Sequence, residues 1–328
     1  MKLGPGMKTL DVIVPIYNEA EVLGALFDAL DDVFSGPNLA RRNLARVRYL
    51  FVDDGSSDAS ARIISDRIKA GAPAALYRLS RNFGHQNAIC AGLDHATADF
   101  VAILDADLQD PPHVVLEMVD KASEFDVVYG QRRRRKENVF KRFGYWAFYR
   151  LIDALSDIRI PLDSGDFCVM NRQVVQALRA LPERLRFPRV LRAWVGFRQT
   201  GHEYERLKRR AGSTKYSLGK LYRLATDGIA SASIRPLRFA QPFCFILGII
   251  ALGLTVVFIL MAFGKIDAPV SPPFLVAYIL ITSGNALTML CLYIVNAYIG
   301  RMYLEVKGRP SYIVMEVVGQ PAQQAGLP

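Results

Sequence analysis

Two long apolar stretches near the C-terminus most constrain how this chain of 328 residues can fold. They cover residues 239–263 and 274–300, and their only amide or charged side chains are the neutral Gln241, Asn285 and Asn296. Each stretch exceeds the roughly 20 residues that a helix needs to cross a membrane. We therefore predict two membrane-spanning helices, which excludes a purely soluble protein, whereas the well-charged residues 1–230 exclude a wholly embedded one.

The charges around the two stretches predict their orientation. The short segment between them, residues 264–273, holds one Lys and one Asp, whereas several basic residues flank the pair on its outer sides. By the positive-inside rule the stretches form a hairpin with both termini in the cytoplasm. We thus predict a cytoplasmic domain over residues 1–230, a transmembrane hairpin over 231–310 and a C-terminal tail over 311–328, in the cytoplasmic (inner) membrane.

The first half of the chain alternates between two hydrophobic patterns. Short, mostly apolar runs, typical of buried strands, cover residues 10–15, 47–52, 74–79, 100–104 and 126–129. Apolar residues at helical spacing cover residues 19–34, 59–70, 85–96 and 114–124. Alternating strands and helices predict an α/β fold with a mostly parallel sheet that helices cover on both faces.

Polar clusters follow the predicted strands, where parallel sheets bind ligands. The most informative cluster is Asp105-Ala-Asp107, because two carboxylates that leave a buried strand can converge on Mg²⁺ or Mn²⁺. Two solvated turn aspartates before Pro111 are the alternative. The pair Asp53-Asp54 at the end of another predicted strand favours the metal site, because it adds carboxylates to the same edge.

Charge is distributed unevenly along the chain. Residues 1–110 hold 11 Lys/Arg against 15 Asp/Glu, and residues 111–328 hold 30 against 16. The first part suits metal-bound phosphates, and the second suits anions such as a membrane surface or phosphate groups. Residues 131–160 combine a basic run with aromatics at helical spacing, which predicts an interfacial amphipathic helix. The apolar stretches argue against nucleic acid as the partner.

Histidine and cysteine give no sign of a second metal site. The four histidines and four cysteines lie far apart and show no ligand spacing. We interpret the histidines, including His85, as structural, and we predict neither a disulfide framework nor a zinc site.

Three motifs resemble the family-2 glycosyltransferases of GT-A fold. They are Val14-Pro-Ile-Tyr-Asn-Glu19, Val52-Asp-Asp-Gly-Ser-Ser-Asp58 and Asp105-Ala-Asp-Leu-Gln-Asp-Pro-Pro112. Four further features make the resemblance specific to one group within this family. They are Gly130-Gln-Arg132, Ser164-Gly-Asp-Phe167, the basic segment 209–216 and the predicted C-terminal hairpin. With these, the chain is similar to the polyprenyl-phosphate glycosyltransferases, the group of dolichol-phosphate mannose synthase and the bacterial undecaprenyl-phosphate sugar transferases, over roughly residues 8–310.

The resemblance implies roles for residues on the donor side. Pro15, Tyr17, Glu19, Asp54 and Asp105 match positions that bind the nucleotide. The metal site matches Asp105, Asp107 and Gln109, with Mg²⁺ or Mn²⁺ as cofactor. A cation there neutralises charge as the nucleotide leaves.

The resemblance also implies a lipid monophosphate as acceptor. Arg132, Arg142 and Lys215 are our candidates for binding its phosphate, because Arg and Lys suit phosphate oxygens. The rest of the basic run 133–136 is interpreted as a contact with anionic membrane lipids. Asp166 matches a position that faces the acceptor phosphate, where it acts as a base or orients the cationic groups.

These roles together predict an inverting transfer of sugar from a nucleotide sugar, first choice UDP-glucose, to undecaprenyl phosphate. The family further implies a homo-tetramer. One alternative is a processive polysaccharide synthase, which would need a QxxRW segment and more membrane helices. The other is a non-catalytic membrane scaffold, against which the intact acidic motifs argue.

Overall fold

The fold is described from a computed structural model of the chain. The described residues are 6–132, 164–184, 186–207, individual positions between 245 and 263, and 273–319. The predicted amphipathic segment 131–160 lies almost wholly outside these residues, as do Arg142 and Lys215.

Eight strands form a single mixed sheet with the order β7-β5-β6-β4-β1-β2-β3-β8. Four of the seven pairings are parallel, namely β1 with β2, β1 with β4, β2 with β3, and β5 with β7. The predicted α/β fold with a mostly parallel sheet is thereby confirmed. The strands are β1 (Lys8–Ile16), β2 (Leu44–Asp53), β3 (Ala74–Leu79), β4 (Phe100–Ile103), β5 (Val127–Arg132), β6 (Ser164–Asn171), β7 (Gln199–Tyr204) and β8 (Val314–Gly319).

Helices connect the strands and cover the sheet. The four helices predicted from the sequence begin within two residues of their predicted first residue. Each of them ends one to three residues before its predicted last residue. The helices are α1 (Ala20–Val33), α2 (Gly36–Ala40), α3 (Ser60–Lys69), α4 (His85–His95), α5 (Pro112–Lys121), α6 (Arg172–Ala180), α7 (Pro188–Trp194) and α8 (Pro273–Val306).

The hydrophobic core has a layer on each face of the sheet. Alternate residues of a strand point to opposite faces, so Val12 and Val14 of β1 pack with α1, α3 and α5, whereas Ile13 packs with α4 and α6. All residues of β1 after Lys8 are buried. Because helices pack on both faces of the sheet, both sets of alternating strand residues are buried, and the strand sequences are continuous apolar runs.

The sheet brings the predicted motifs to one edge. Strands β1 to β4 are parallel, so the polar residues that follow them share the carboxyl-terminal edge. The antiparallel strand β6 begins at that same edge, because its Cys168 pairs with Ile103 of β4. Asp166 therefore lies opposite the residues that follow β4, among them Asp105.

One helix in the described part of the chain is long and apolar enough to cross a membrane. It is Ser283–Val306, the C-terminal part of α8, and it agrees with the second predicted stretch. For the first stretch the structure describes only individual positions between 245 and 260, which are helical. The predicted hairpin is therefore not confirmed.

The segment after α8 returns to the sheet. Residues Val314–Gly319, which the sequence assigns to a C-terminal tail, form the edge strand β8 and pair antiparallel with β3. Arg78 and Glu316 form an ion pair across this pairing at 2.6 Å. The chain thus closes the sheet edge with residues that follow the apolar helix.

Candidate active site

Hydrogen bonds lock the loop after β1 to the loop after β2. The backbone N–H of Asn18 donates to Oγ of Ser56 at 2.9 Å, and Oδ1 of Asn18 accepts from the Ser57 N–H at 2.8 Å. The N–H of Glu19 donates to Oγ of Ser60 at 3.0 Å. Serine residues in and just after the second motif thereby fix the end of the first motif in place.

Three of the predicted nucleotide residues lie at this junction. Pro15 is buried in β1, where it pairs with Val52. Tyr17 follows the strand with 42% of its surface exposed, and Glu19 directly precedes α1. The nucleotide-binding role of all three stays a prediction.

Asp54 holds the loop that follows β3. Its two carboxylate oxygens accept from the backbone N–H groups of Phe83 and Gly84 at 2.7 and 2.9 Å. Burial raises the pKa of Asp54 above its usual value, and these two hydrogen bonds only partly offset that effect. Asp54 therefore positions the start of α4 in this structure, and its predicted contact with the nucleotide stays a prediction.

Gly55 lets the loops after β2 and β3 approach closely. Its φ is +71°, and a Cβ at this position would lie 2.5 Å from the carbonyl carbon of Arg81. We expect Gly55→Ala to lower the free energy of unfolding by about 2 kcal/mol or more, because left-handed strain of about 1–2 kcal/mol adds to the clash. Thermal unfolding in detergent measures the effect.

Gly71→Ala is the matched control for this prediction. Gly71 has a φ of +100°, but a Cβ there would meet nothing within 4 Å. It therefore reports the strain without the clash, and Gly55→Ala should be the more harmful change. Equal losses of stability would contradict a close-approach role for Gly55.

Two carboxylates follow β4, as predicted. Asp105 is 32% exposed at its side chain, whereas Asp107 is buried and its Oδ1 accepts from the backbone N–H of Gln109 at 3.1 Å. Burial raises the pKa of Asp105 to about 6; His85 opposes this rise, and Asp110, Asp166 and Asp107 add to it. This excess of negative charge, on oxygen ligands, fits a hard divalent cation. Within the described ranges no three acidic, His or Cys side chains form a preassembled metal cluster.

His85 and Asp166 complete this side of the site. Nε2 of His85 lies 3.7 Å from Oδ1 of Asp105 and 3.6 Å from Oδ2 of Asp166. Burial favours the neutral imidazole, but the neighbouring carboxylates raise the pKa of His85 to about 9. Burial likewise opposes ionisation of Asp166, yet His85, Arg189 and Gln86 lower its pKa to about 2. The imidazole of His85 thus lies between two carboxylates.

Arg132, the last residue of β5, lies against Gly165 of β6, the residue that precedes Asp166. Its Nη2 is 3.3 Å from the position that a Cβ on Gly165 would take. Burial opposes its charge, but a hydrogen bond with Tyr204 and nearby carboxylates raise the pKa of Arg132. The Tyr204 hydroxyl in turn donates to Asp110 of the loop after β4. The predicted phosphate-binding Arg132 is therefore brought to the carboxylates.

Sequence reasoning misses three residues of this site. His85 and Gln86, assigned at most to structure, open α4 and contact Asp166, and Tyr204 joins Arg132 to Asp110. The position of His85 after β3, at the edge where the other motifs meet, is the signal that could have identified it. No comparable signal marks Tyr204, because β7 lacks a clear pattern.

The chain is similar in sequence to known glycosyltransferases. Residues 11–179 match the family model of glycosyl transferase family 2. The chain is 39% identical over 312 residues to an uncharacterized glycosyltransferase, YkcC, of Bacillus subtilis, covering 94% of both chains. It is 33% identical over 311 residues to a bactoprenol glucosyl transferase of Shigella phage SfII, covering 93% of this chain and 97% of the relative.

Among solved structures, the chain is similar to the mannosyltransferase PcManGT of Pyrobaculum calidifontis in complex with GDP-Man and Mn²⁺. That similarity has a TM-score of 0.45 and 16% identity, and it covers 91% of this chain and 88% of the other.

Proposed function

The chain belongs to glycosyl transferase family 2, and on that premise we propose that it transfers a sugar from a nucleotide sugar to undecaprenyl phosphate. Our first choice of donor is UDP-glucose. The observation that carries the proposal is the convergence of Asp105, Asp107 and Asp166 with Arg132 at one edge of the sheet. Relatives named bactoprenol glucosyl transferase, at 33% identity over nearly the full chain, support the acceptor.

The carboxylate side of the site would bind the donor. Asp105, Asp107 and Gln109 would hold Mg²⁺ or Mn²⁺, and the raised pKa of Asp105 supports a cation there. Such a cation supplies charge neutralisation for the diphosphate. Pro15, Tyr17, Glu19 and Asp54 would hold the nucleoside.

The cationic side of the site would bind the acceptor. Arg132 would bind the lipid phosphate together with Arg142 and Lys215, which lie outside the described residues. A phosphate oxygen attacks the anomeric carbon, the new C–O bond forms with inversion, and the nucleoside diphosphate leaves with the bonding electrons. The acceptor is already ionised near pH 7, so a strong base is not needed. Asp166 acts as a base or orients the cationic groups.

We propose that α8 anchors the enzyme at the cytoplasmic face of the inner membrane. The apolar part of α8 exposes large side chains, for example Met289, Leu290 and Tyr293. Its C-terminal end contacts the catalytic part, because Oε2 of Glu305 accepts from the Arg184 N–H at 2.8 Å. The second membrane helix, the cytoplasmic termini, the contact with membrane lipids and the homo-tetramer stay predictions from the sequence and the resemblance.

A donor screen tests the proposed function. Purified protein is incubated with undecaprenyl phosphate and one radiolabelled nucleotide sugar at a time: UDP-glucose, UDP-galactose, UDP-N-acetylglucosamine or GDP-mannose. We expect one label, that of UDP-glucose, to enter the organic phase as a single lipid product, and none to enter without the lipid phosphate. A growing saccharide polymer would favour a processive synthase, and no transfer from any donor would contradict the proposal.

A further inference from the structure

The first turn of α4 binds Asp166 through an amide. Nε2 of Gln86 donates to Oδ2 of Asp166 at 2.8 Å. An ionised carboxylate can only accept hydrogen bonds, so the amide nitrogen of Gln86 has to face it. The amide oxygen of Gln86, Oε1, therefore takes no part in this hydrogen bond.

The Gln86–Asp166 pair has two acceptor atoms without partners. Oε1 of Gln86 and Oδ1 of Asp166 are both buried, and neither has a hydrogen-bond partner in the part of the chain that the structure describes. A buried polar atom without a partner is unfavourable, and in an active site a bound ligand can supply that partner. Both atoms are acceptors, and the missing groups are hydrogen-bond donors.

The chemistry of the two substrates, the nucleotide sugar and the lipid phosphate, decides which of them supplies the missing hydrogen-bond donors. An ionised phosphate offers only hydrogen-bond acceptors, so it does not donate to these oxygens. The hydroxyl groups of a sugar do donate. Resting on the proposed function, we propose that Gln86 and Asp166 bind hydroxyl groups of the transferred sugar, which makes Gln86 a specificity-determining residue.

The location of the pair agrees with this assignment. His85 connects Asp166 to Asp105, at 3.6 and 3.7 Å, so one side of the pair faces the carboxylates assigned to the donor diphosphate. Arg132 lies against Gly165, the residue before Asp166, and its Nε is a buried donor with no partner among the described residues. Unpaired acceptors suited to sugar hydroxyls therefore lie beside an unpaired donor suited to a phosphate oxygen. The anomeric carbon has to lie between diphosphate and acceptor phosphate.

Gln86→Met tests the proposal, because methionine keeps the length of the side chain and removes the amide. The donor is the nucleotide sugar that the wild-type enzyme uses best in the screen, compared with its 2-, 3-, 4- and 6-deoxy analogues. We expect the wild-type enzyme to use at least one analogue about tenfold or more less efficiently, by kcat/KM, than the parent sugar. Gln86→Met should lose about tenfold on the parent and little on that analogue, so that the discrimination disappears.

Binding measured by calorimetry gives a second readout. Gln86→Met should weaken binding of the nucleotide sugar but not of the free nucleoside diphosphate, which has no sugar hydroxyl to bind. Gln199→Met is the matched control: Nε2 of Gln199 donates to the backbone carbonyls of Arg192 and Gly196, and Gln199 pairs with Val127 at the start of β5, remote from the site. It should keep the wild-type discrimination. Gln86→Ala replaces the methionine variant if that variant does not fold.

Two outcomes would overturn the inference without affecting the proposed function. Equal losses on the parent sugar and all four analogues would mean that Gln86 acts only by positioning Asp166. Unchanged kinetics and binding would mean that Gln86 has no role. A wild-type enzyme that transfers no sugar at all would instead contradict the proposed function, and this inference with it.

Discussion

Replacing Asp107 by Asn should lower the rate of sugar transfer about 100-fold or more, the range lost with a key electrostatic group. Asp107 is buried at the end of β4, and a neutral amide is a weaker ligand for a hard cation than a carboxylate. The backbone N–H of Gln109 still finds an oxygen acceptor in the variant, so the loop should keep its shape. Steady-state kinetics with saturating lipid measure the loss.

Asp120→Asn is the matched control for this result. Asp120 lies exposed on α5 and pairs with Arg42, so the same chemical change should leave the rate nearly unaltered. Chelation of divalent cations should abolish wild-type activity, and added Mn²⁺ or Mg²⁺ should restore it. Full activity in excess chelator would show that the carboxylates serve another purpose.

Arg132→Ala should damage use of the lipid about 10- to 100-fold while leaving donor binding nearly intact. A hydrogen bond to a charged group contributes about 1.5–3 kcal/mol, which corresponds to that range. Arg132 is half-buried and lies against Gly165, so we expect that no arginine of the basic run 133–136 replaces its guanidinium. Kinetics with donor and lipid varied separately distinguish the two effects.

Arg134→Ala tests whether position or total charge matters. Arg134 belongs to the basic run that we assign to membrane lipids, where each cation contributes roughly 1 kcal/mol and is individually replaceable. It should have little effect, whereas Lys215→Ala should resemble Arg132→Ala. If Arg134→Ala proves as harmful as Arg132→Ala, the run acts as a single electrostatic surface and the site assignment is wrong.

The sequence predicts the donor edge of the sheet well, for a physical reason. Buried parallel strands are continuous apolar runs, and their carboxyl ends share one edge, so Asp54 and Asp105 can be placed together without coordinates. What Asp54 does there could not be predicted. Its carboxylate accepts two backbone hydrogen bonds from the loop after β3, a contact that depends on how two loops approach each other.

The residues around Asp166 are harder to predict from the sequence. β6 is antiparallel and enters the sheet between β4 and β5, so Asp166 reaches the site from far along the chain. Its neighbours His85 and Gln86 open a helix and show no ligand spacing in sequence. Side-chain neighbours of this kind are set by tertiary packing, and hydrophobic periodicity carries no information about them.

The position of β8 has a consequence for the order in which the protein folds. Arg78 of β3 and Glu316 of β8 are separated by 238 residues, and the whole apolar helix α8 lies between them in the chain. During synthesis the outer edge of β3 therefore stays open until α8 has left the ribosome, and an open strand edge is a site for aggregation. The sheet can therefore be completed only after the apolar helix has been synthesised. A nascent chain that stalls before residue 314 leaves the outer edge of β3 unpaired.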